Sequence, residues 1–154
     1  MTPQGDWKFP NSHHVTTLFI GGNKQKLKTP MYEHFQENKQ VGVEIRAVIY
    51  VPGKLVAGIC FPQTECENEF PHLTMMISSG WAAVMSNEVI KATCGEDKPF
   101  ENAYDAAREG ILPAKGAGVH TEHDVPILKK GKNEVVYVLL KEPVSFDGKL
   151  KAYY

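Results

Sequence analysis

Two stretches decide how this chain reads: His14-Val15-Thr16-Thr17-Leu18-Phe19-Ile20 and, further along, His72-Leu73-Thr74-Met75-Met76-Ile77. Each is H-x-T-x running into an apolar segment rich in β-formers, so each predicts a buried strand. Side chains alternate along a strand, which puts His14 and Thr16 on one face of theirs and His72 and Thr74 on one face of the other. Each copy offers an imidazole and a hydroxyl about 7 Å apart, two residues at a ~3.3 Å rise. With six histidines and eight threonines in 154 residues, two or more histidines carry Thr at +2 by chance about 4% of the time. Requiring both to open apolar strands lowers that several-fold. The competing reading is two ordinary strands whose histidines satisfy local hydrogen bonds.

Totals narrow the field. One domain is expected over 1–154, with an arm at 1–13 and a core at 14–154, and the chain is long enough to bury a real core. Hydrophobic content of 42% and charged content of 23% are globular values. A formal net charge of −1 excludes the global basic field that long duplex DNA requires. Only Arg46 and Arg108 are arginines. Cys60, Cys66 and Cys94 are odd in number and lack C-x-x-C spacing, which argues against disulfides and for a reducing, cytoplasmic setting. No apolar run reaches membrane-spanning length and no signal-peptide core opens the chain. A soluble monomer is expected.

In chain order, Trp7 and Phe9 anchor the arm. Gly21-Gly22 stops the first motif strand. Lys24, Lys26 and Lys28 form a loop, read as solvated more readily than as a phosphate guide. Thr29-Pro30 starts a short helix to about Asn38. Val43, Ile45, Ala47, Ile49 and Val51 alternate onto one side of a strand, Pro52-Gly53 turns it, and Leu55 to Phe61 returns. Ser78-Ser79-Gly80 breaks the second motif strand. Trp81, Val84, Met85, Val89 and Ala92 recur at helical spacing up to Gly95, and Phe100, Ala103, Tyr104 and Ala107 mark a helix over Pro99 to Glu109. Residues 111–131 read as loop. Val135 to Leu140 is a strand, and Val144 to Phe146 with Leu150 to Tyr154 forms a closing hairpin turned at Asp147-Gly148. The class is α+β with mostly antiparallel sheets, and the repeated strand–helix unit predicts two small lobes with the motif strands lining the seam.

Two histidines and two hydroxyls across a seam suit phosphodiester chemistry. One imidazole takes a proton from water attacking phosphorus, and the other protonates the departing oxygen. The hydroxyls hold the phosphoryl oxygens where charge develops.

Paired H-x-T-x strands in a small α+β chain resemble the two-histidine (2H) phosphoesterases, most closely the catalytic domains of the 2′,3′-cyclic-nucleotide 3′-phosphodiesterases. His14 to Phe19 fits the first family motif, and Pro71-His72-Leu73-Thr74 the second. Tyr137-Val138-Leu139-Leu140 and Tyr153-Tyr154 are similar to the family's closing strands, and outside the two motifs the likeness is loose. It implies a bilobal fold with a central cleft and catalytic His14, Thr16, His72 and Thr74. It also implies no cofactor or metal, and as substrate a small nucleotide or an RNA 3′ end carrying a 2′,3′-cyclic phosphate. By resemblance His72 activates water, His14 protonates the leaving oxygen and Phe19 stacks on the base. Strand parity equally allows Phe19 to be core, and Trp81 either roofs the cleft or packs inside. Vertebrate members carry a nucleotide-kinase-like half; its G-x-x-x-x-G-K-[ST] loop is absent from these 154 residues, so an excised domain or a stand-alone relative is expected. A 2′,5′-oligoadenylate phosphodiesterase and a non-catalytic nucleotide- or RNA-binding module are the rival functions. His120-Thr121-Glu122-His123-Asp124 could meet a metal, but a loop gives the pair no fixed geometry.

Overall fold

A computed structural model describes residues 7–8, 15, 39–63, 68–113 and 118–149. The described elements are β1 (Trp7–Lys8), β2 (Gln40–Val51), β3 (Leu55–Pro62), β4 (His72–Ser78), α1 (Met85–Cys94), α2 (Glu101–Arg108), β5 (Val119–Ile127) and β6 (Gly131–Lys149). The strands form one antiparallel sheet in the order β1-β4-β3-β2-β6-β5. The α+β class and the antiparallel pairing are as expected from the alternating segments.

Pro52-Gly53 does make the β2–β3 turn: Gly53 takes φ +74°, and the Lys54 amide donates to the Val51 carbonyl at 2.9 Å. The alternation in β2 hides a bulge. Between Ile45 and Ala47 the register slips, so Ile45 pairs with Cys60 but Ala47 with Ile59. Consecutive residues of β3 point to opposite faces, and the slip at Arg46 therefore transfers the apolar set of β2 from one face to the other. Ala47, Ile49 and Val51 enter the main core with the two helices, whereas Val43 and Ile45 join Cys60 on the far face. The expectation that all five share one side is corrected by that extra residue.

The main core lies between the sheet and the helices: Leu55, Ala57 and Ile59 from β3 and Val135, Tyr137 and Leu139 from β6 meet Val89, Ile90, Cys94, Ala103, Tyr104 and Ala107. Helix α1 starts later than predicted, and its buried stripe is Ser86, Val89, Ile90, Thr93 and Cys94. Val84 is exposed. Spacing alone admitted either stripe; the sheet selects the one that meets it. Helix α2 buries Ala103, Tyr104 and Ala107, as expected. Its last carbonyls, of Ala107 and Arg108, each accept from Arg46 Nη1 at 2.9 Å.

Two further expectations are corrected. Residues 119–127 form β5 rather than loop, on the sheet's edge beside β6. An edge strand with one neighbour buries little, here Val125 and Ile127, so no alternation announces it. Pro126 is tolerated there because an edge strand has one row of unpaired amides. Asp147-Gly148 is not a turn: β6 runs on to Lys149, with Asp147 opposite Gly42 and Gly148 opposite Val41. The amino half of β2 supplies partners that a local hairpin would otherwise provide. The arm contributes β1, which pairs with Ile77 and Ser78 of β4. The helix expected at 29–38, the lysine loop and the terminal Tyr153-Tyr154 lie outside the described residues.

Candidate active site

His72 opens β4 opposite Ile59 of β3, and Thr74 lies opposite Ala57. Both share the helix-covered face, since Ile59 and Ala57 belong to the main core. Leu73 and Met75 point the other way and pack with Val43, Ile45 and Cys60. The intended face alternation of the second H-x-T-x copy is therefore met. A register shift between Val56 and Ala57 sets Met76 opposite Val56 and Thr74 opposite Ala57.

His72 is half-buried, and its Nδ1 lies 2.9 Å from the Phe70 carbonyl oxygen. A carbonyl only accepts, so this bond requires hydrogen on Nδ1 and makes Nε2 the acceptor nitrogen of the neutral ring. The same segment is held by the Cys60 amide, which donates to the Pro71 carbonyl at 2.9 Å. Phe70 in turn is clamped edge-on against Tyr104, ring centroids 5.0 Å apart. The Tyr104 hydroxyl donates to the Glu69 carbonyl at 3.2 Å. The imidazole is thus positioned by a backbone that β3 and α2 both grip.

Thr74 is 8% exposed. Its Oγ1 lies 2.8 Å from Ser86 Oγ on α1 and donates, at a longer 3.4 Å, to the Ala83 carbonyl. Ser86 is fully buried. Nothing in the local sequence marks Ser86; a small hydroxyl in a helical stripe that also carries Thr93 is the trace it leaves.

Of the first copy, His14, Thr16 and Phe19 lie outside the described residues. Val15 is described, and it forms an antiparallel bridge with Leu73. The middle residues of the two H-x-T triplets, 58 positions apart, are therefore neighbours (73 − 15 = 58). Trp81 is 9% exposed and part of the main core. It lies past the carboxyl end of β4, beside the β2–β3 turn, with the ammonium groups of Lys54 and Lys130 5.7 and 5.8 Å from its ring centroid. The fold does not bring it to His72, which sits at the opposite end of the strand.

His120 lies on β5, its ring 6.2 Å from that of Tyr137 and 6.3 Å from that of Phe100, centroid to centroid. Asp124 takes φ +57° beside a register shift between Glu122 and Val125. Among the described residues no three His, Cys, Asp or Glu side chains gather as metal ligands. Nor is any helix among them long and apolar enough to cross a membrane. Burial pushes the thiols of Cys60 and Cys94 up to about 12, which removes them as nucleophiles near neutrality. An open depression of about 250 Å³ lies over Gly42, Glu44, Gln63, Ser145 and Asp147; neither His72 nor Thr74 lines it.

No family model, no curated protein and no solved structure matches this chain.

Proposed function

We propose that this protein is a phosphodiesterase of the two-histidine type, opening 2′,3′-cyclic phosphates of nucleotides or RNA 3′ ends to 2′-phosphates. The Val15–Leu73 bridge carries the reading. A regular antiparallel ladder extended from that pair would set position 14 opposite 74 and position 16 opposite 72, all four on one face. Each imidazole would then stand across from the other motif's hydroxyl, with the two histidines on a diagonal of about 7–8 Å, a span that a phosphate can occupy.

The chemistry follows from that arrangement. His72, neutral and protonated on Nδ1, takes a proton from water through Nε2 as the water oxygen bonds to phosphorus. The P–O3′ bond breaks on the opposite side, and His14 in its imidazolium form gives a proton to O3′. The 2′ ester bond survives, so the product is a 2′-phosphate. Thr16 and Thr74 hold the non-bridging oxygens. The reading takes the two-lobed fold with a central cleft as its frame and a reducing, cytoplasmic setting, and it assigns no metal or cofactor to these steps.

The decisive experiment is product analysis on 2′,3′-cyclic nucleotides by chromatography and phosphorus NMR, with 2′,5′-oligoadenylate in parallel. Exclusive 2′-monophosphate from the cyclic substrate is expected. Cleavage of the oligoadenylate alone would transfer the site to that substrate class. Binding of a 2′-nucleotide without turnover anywhere between pH 5 and 8 would leave a binding module instead.

A further inference from the structure

We propose that Ser86 on α1 is a positioning residue for the reaction, donating its hydroxyl hydrogen to Thr74 Oγ1 so that the Thr74 hydrogen is aimed at the substrate phosphate. The inference rests on the phosphodiesterase reading above.

The direction of the bond follows from the partners available. Ser86 is fully buried, and among the described residues the one hydrogen bond of its hydroxyl runs to Thr74 Oγ1 at 2.8 Å. Were Thr74 the donor in that pair, the Ser86 hydrogen would be left buried without an acceptor, which is costly. Thr74 has a second acceptor within reach, the Ala83 carbonyl at 3.4 Å. The arrangement that satisfies both groups is Ser86 donating to Thr74 and Thr74 donating onward. At 3.4 Å that onward bond is long and weak. A phosphoryl oxygen carrying developing charge is a far better acceptor than a distant neutral carbonyl, so substrate displaces it readily. A hydroxyl that already accepts a bond is also polarised, which strengthens the one it donates.

Ser86 has a second consequence for the site. It anchors Thr74 to a helix rather than to a loop, since Ser86 lies on the first turn of α1, whose buried stripe packs on the sheet. A hydroxyl held from a packed helix keeps its place as charge builds, and no reorganisation is needed at the moment of reaction. The benefit belongs to the transition state, where the phosphoryl oxygens gain charge, so it is expected in kcat rather than in KM.

The test is a double-mutant cycle in steady-state hydrolysis of a 2′,3′-cyclic nucleotide, using wild type, Ser86→Ala, Thr74→Ala and the pair together. Ser86→Ala is expected to lower kcat about tenfold, the worth of one hydrogen bond, with KM within twofold. In the Thr74→Ala background the same change is expected to alter kcat by less than about twofold, because its target is gone. Ser86→Cys fills nearly the same space with a weak donor and should repeat the loss, so it decides the matter if the alanine variant folds poorly. A full tenfold loss in both backgrounds would show Ser86 to be structural and overturn the inference. So would a kcat within twofold of wild type in Ser86→Ala and Ser86→Cys. Absence of hydrolysis by wild type is a different result, which overturns the phosphodiesterase reading and this inference with it.

Discussion

In the proposed mechanism His72 bears the heaviest chemical demand, and its surroundings suit that demand: Nδ1 is tied to a carbonyl that two neighbouring elements hold still. Replacing either motif histidine, His14→Ala or His72→Ala, should reduce turnover at least a hundredfold, since each proton transfer contributes on the order of 10² to 10⁴. Thermal melts should stay close to wild type, because His72 is only half-buried. Residual activity within tenfold of wild type would discard the assignment. The rate should trace a bell with both limbs between about pH 5 and 8, as one imidazole must be charged and the other neutral. The buried thiols yield a second prediction at this scale. Cys60 and Cys94 ionise near 9 when unfolded but only near 12 when folded, because burial disfavours the thiolate. Between those values the folded state holds protons that the unfolded chain has lost. Stability is therefore unaffected below pH 9 and falls as pH rises toward 12, by about 1.4 kcal/mol per pH unit for each thiol. Urea titrations from pH 8 to 11 should show the decline, and a Cys60→Ala/Cys94→Ala variant should show a shallower one.

Among the elements, the bulge at Arg46 does the most to shape the molecule. It turns the apolar set of β2 from the far face to the helix-covered face. It also frees Arg46 to reach the end of α2, where the guanidinium takes two carbonyls, stacks 4.6 Å from the Phe61 centroid and pairs with Glu44 at 2.6 Å. Arg46→Ala should destabilise the fold by about 1–3 kcal/mol, measured by urea unfolding, because the α2 carbonyls lose a charged donor at the negative end of the helix dipole. Arg46→Lys should recover only part, lacking the planar guanidinium that reaches the α2 carbonyls through Nη1 while its Nε holds Glu44. Gly118 is a second pressure point, since a Cβ there would meet the Leu139 carbonyl oxygen at 2.5 Å. Backbone cannot yield as a side chain does, so Gly118→Ala is expected to cost about 1–3 kcal/mol by parting β5 from β6. An unchanged urea midpoint would show that the strand ends separate without penalty.

For the whole molecule, β2 and β6 form the spine: nearly all of β2 is paired with β6, while β3 covers the other side of β2. Amide exchange should accordingly be slowest over Ala47–Val51 and Val135–Leu139, and fast in β5 and β1, which are the sheet's edges. Equal protection of β5 and β2, read by exchange mass spectrometry, would contradict this ranking. Several parts of this architecture were legible from residue order alone. The β2–β3 hairpin, the second motif strand and the stripe of α2 all follow from local chemistry: period-2 or period-3.6 patterning and a Pro-Gly turn. The H-x-T-x pair could be read as a candidate site for the same reason, since face parity within each strand is a local property. Neither the bulge at Arg46 nor the edge strand β5 nor the straight passage of β6 through Asp147-Gly148 was legible. A bulge preserves the alternation it interrupts, an edge strand buries too little to show one, and a turn-prone pair stays extended when a distant strand offers it partners. Ser86 escaped for a related reason, because a hydroxyl acquires its meaning from what packs against it. Thus the chain's own order determined which segments could be strands and helices, and which side chains could share a face. Only the tertiary structure decided which faces meet: that Val15 bridges Leu73, that Thr74 binds Ser86, and that Trp81 stands at the far end of the strand from His72. Those outcomes depend on register between segments remote in sequence, and register is set by the packing of the whole sheet rather than by any residue's neighbours in the chain.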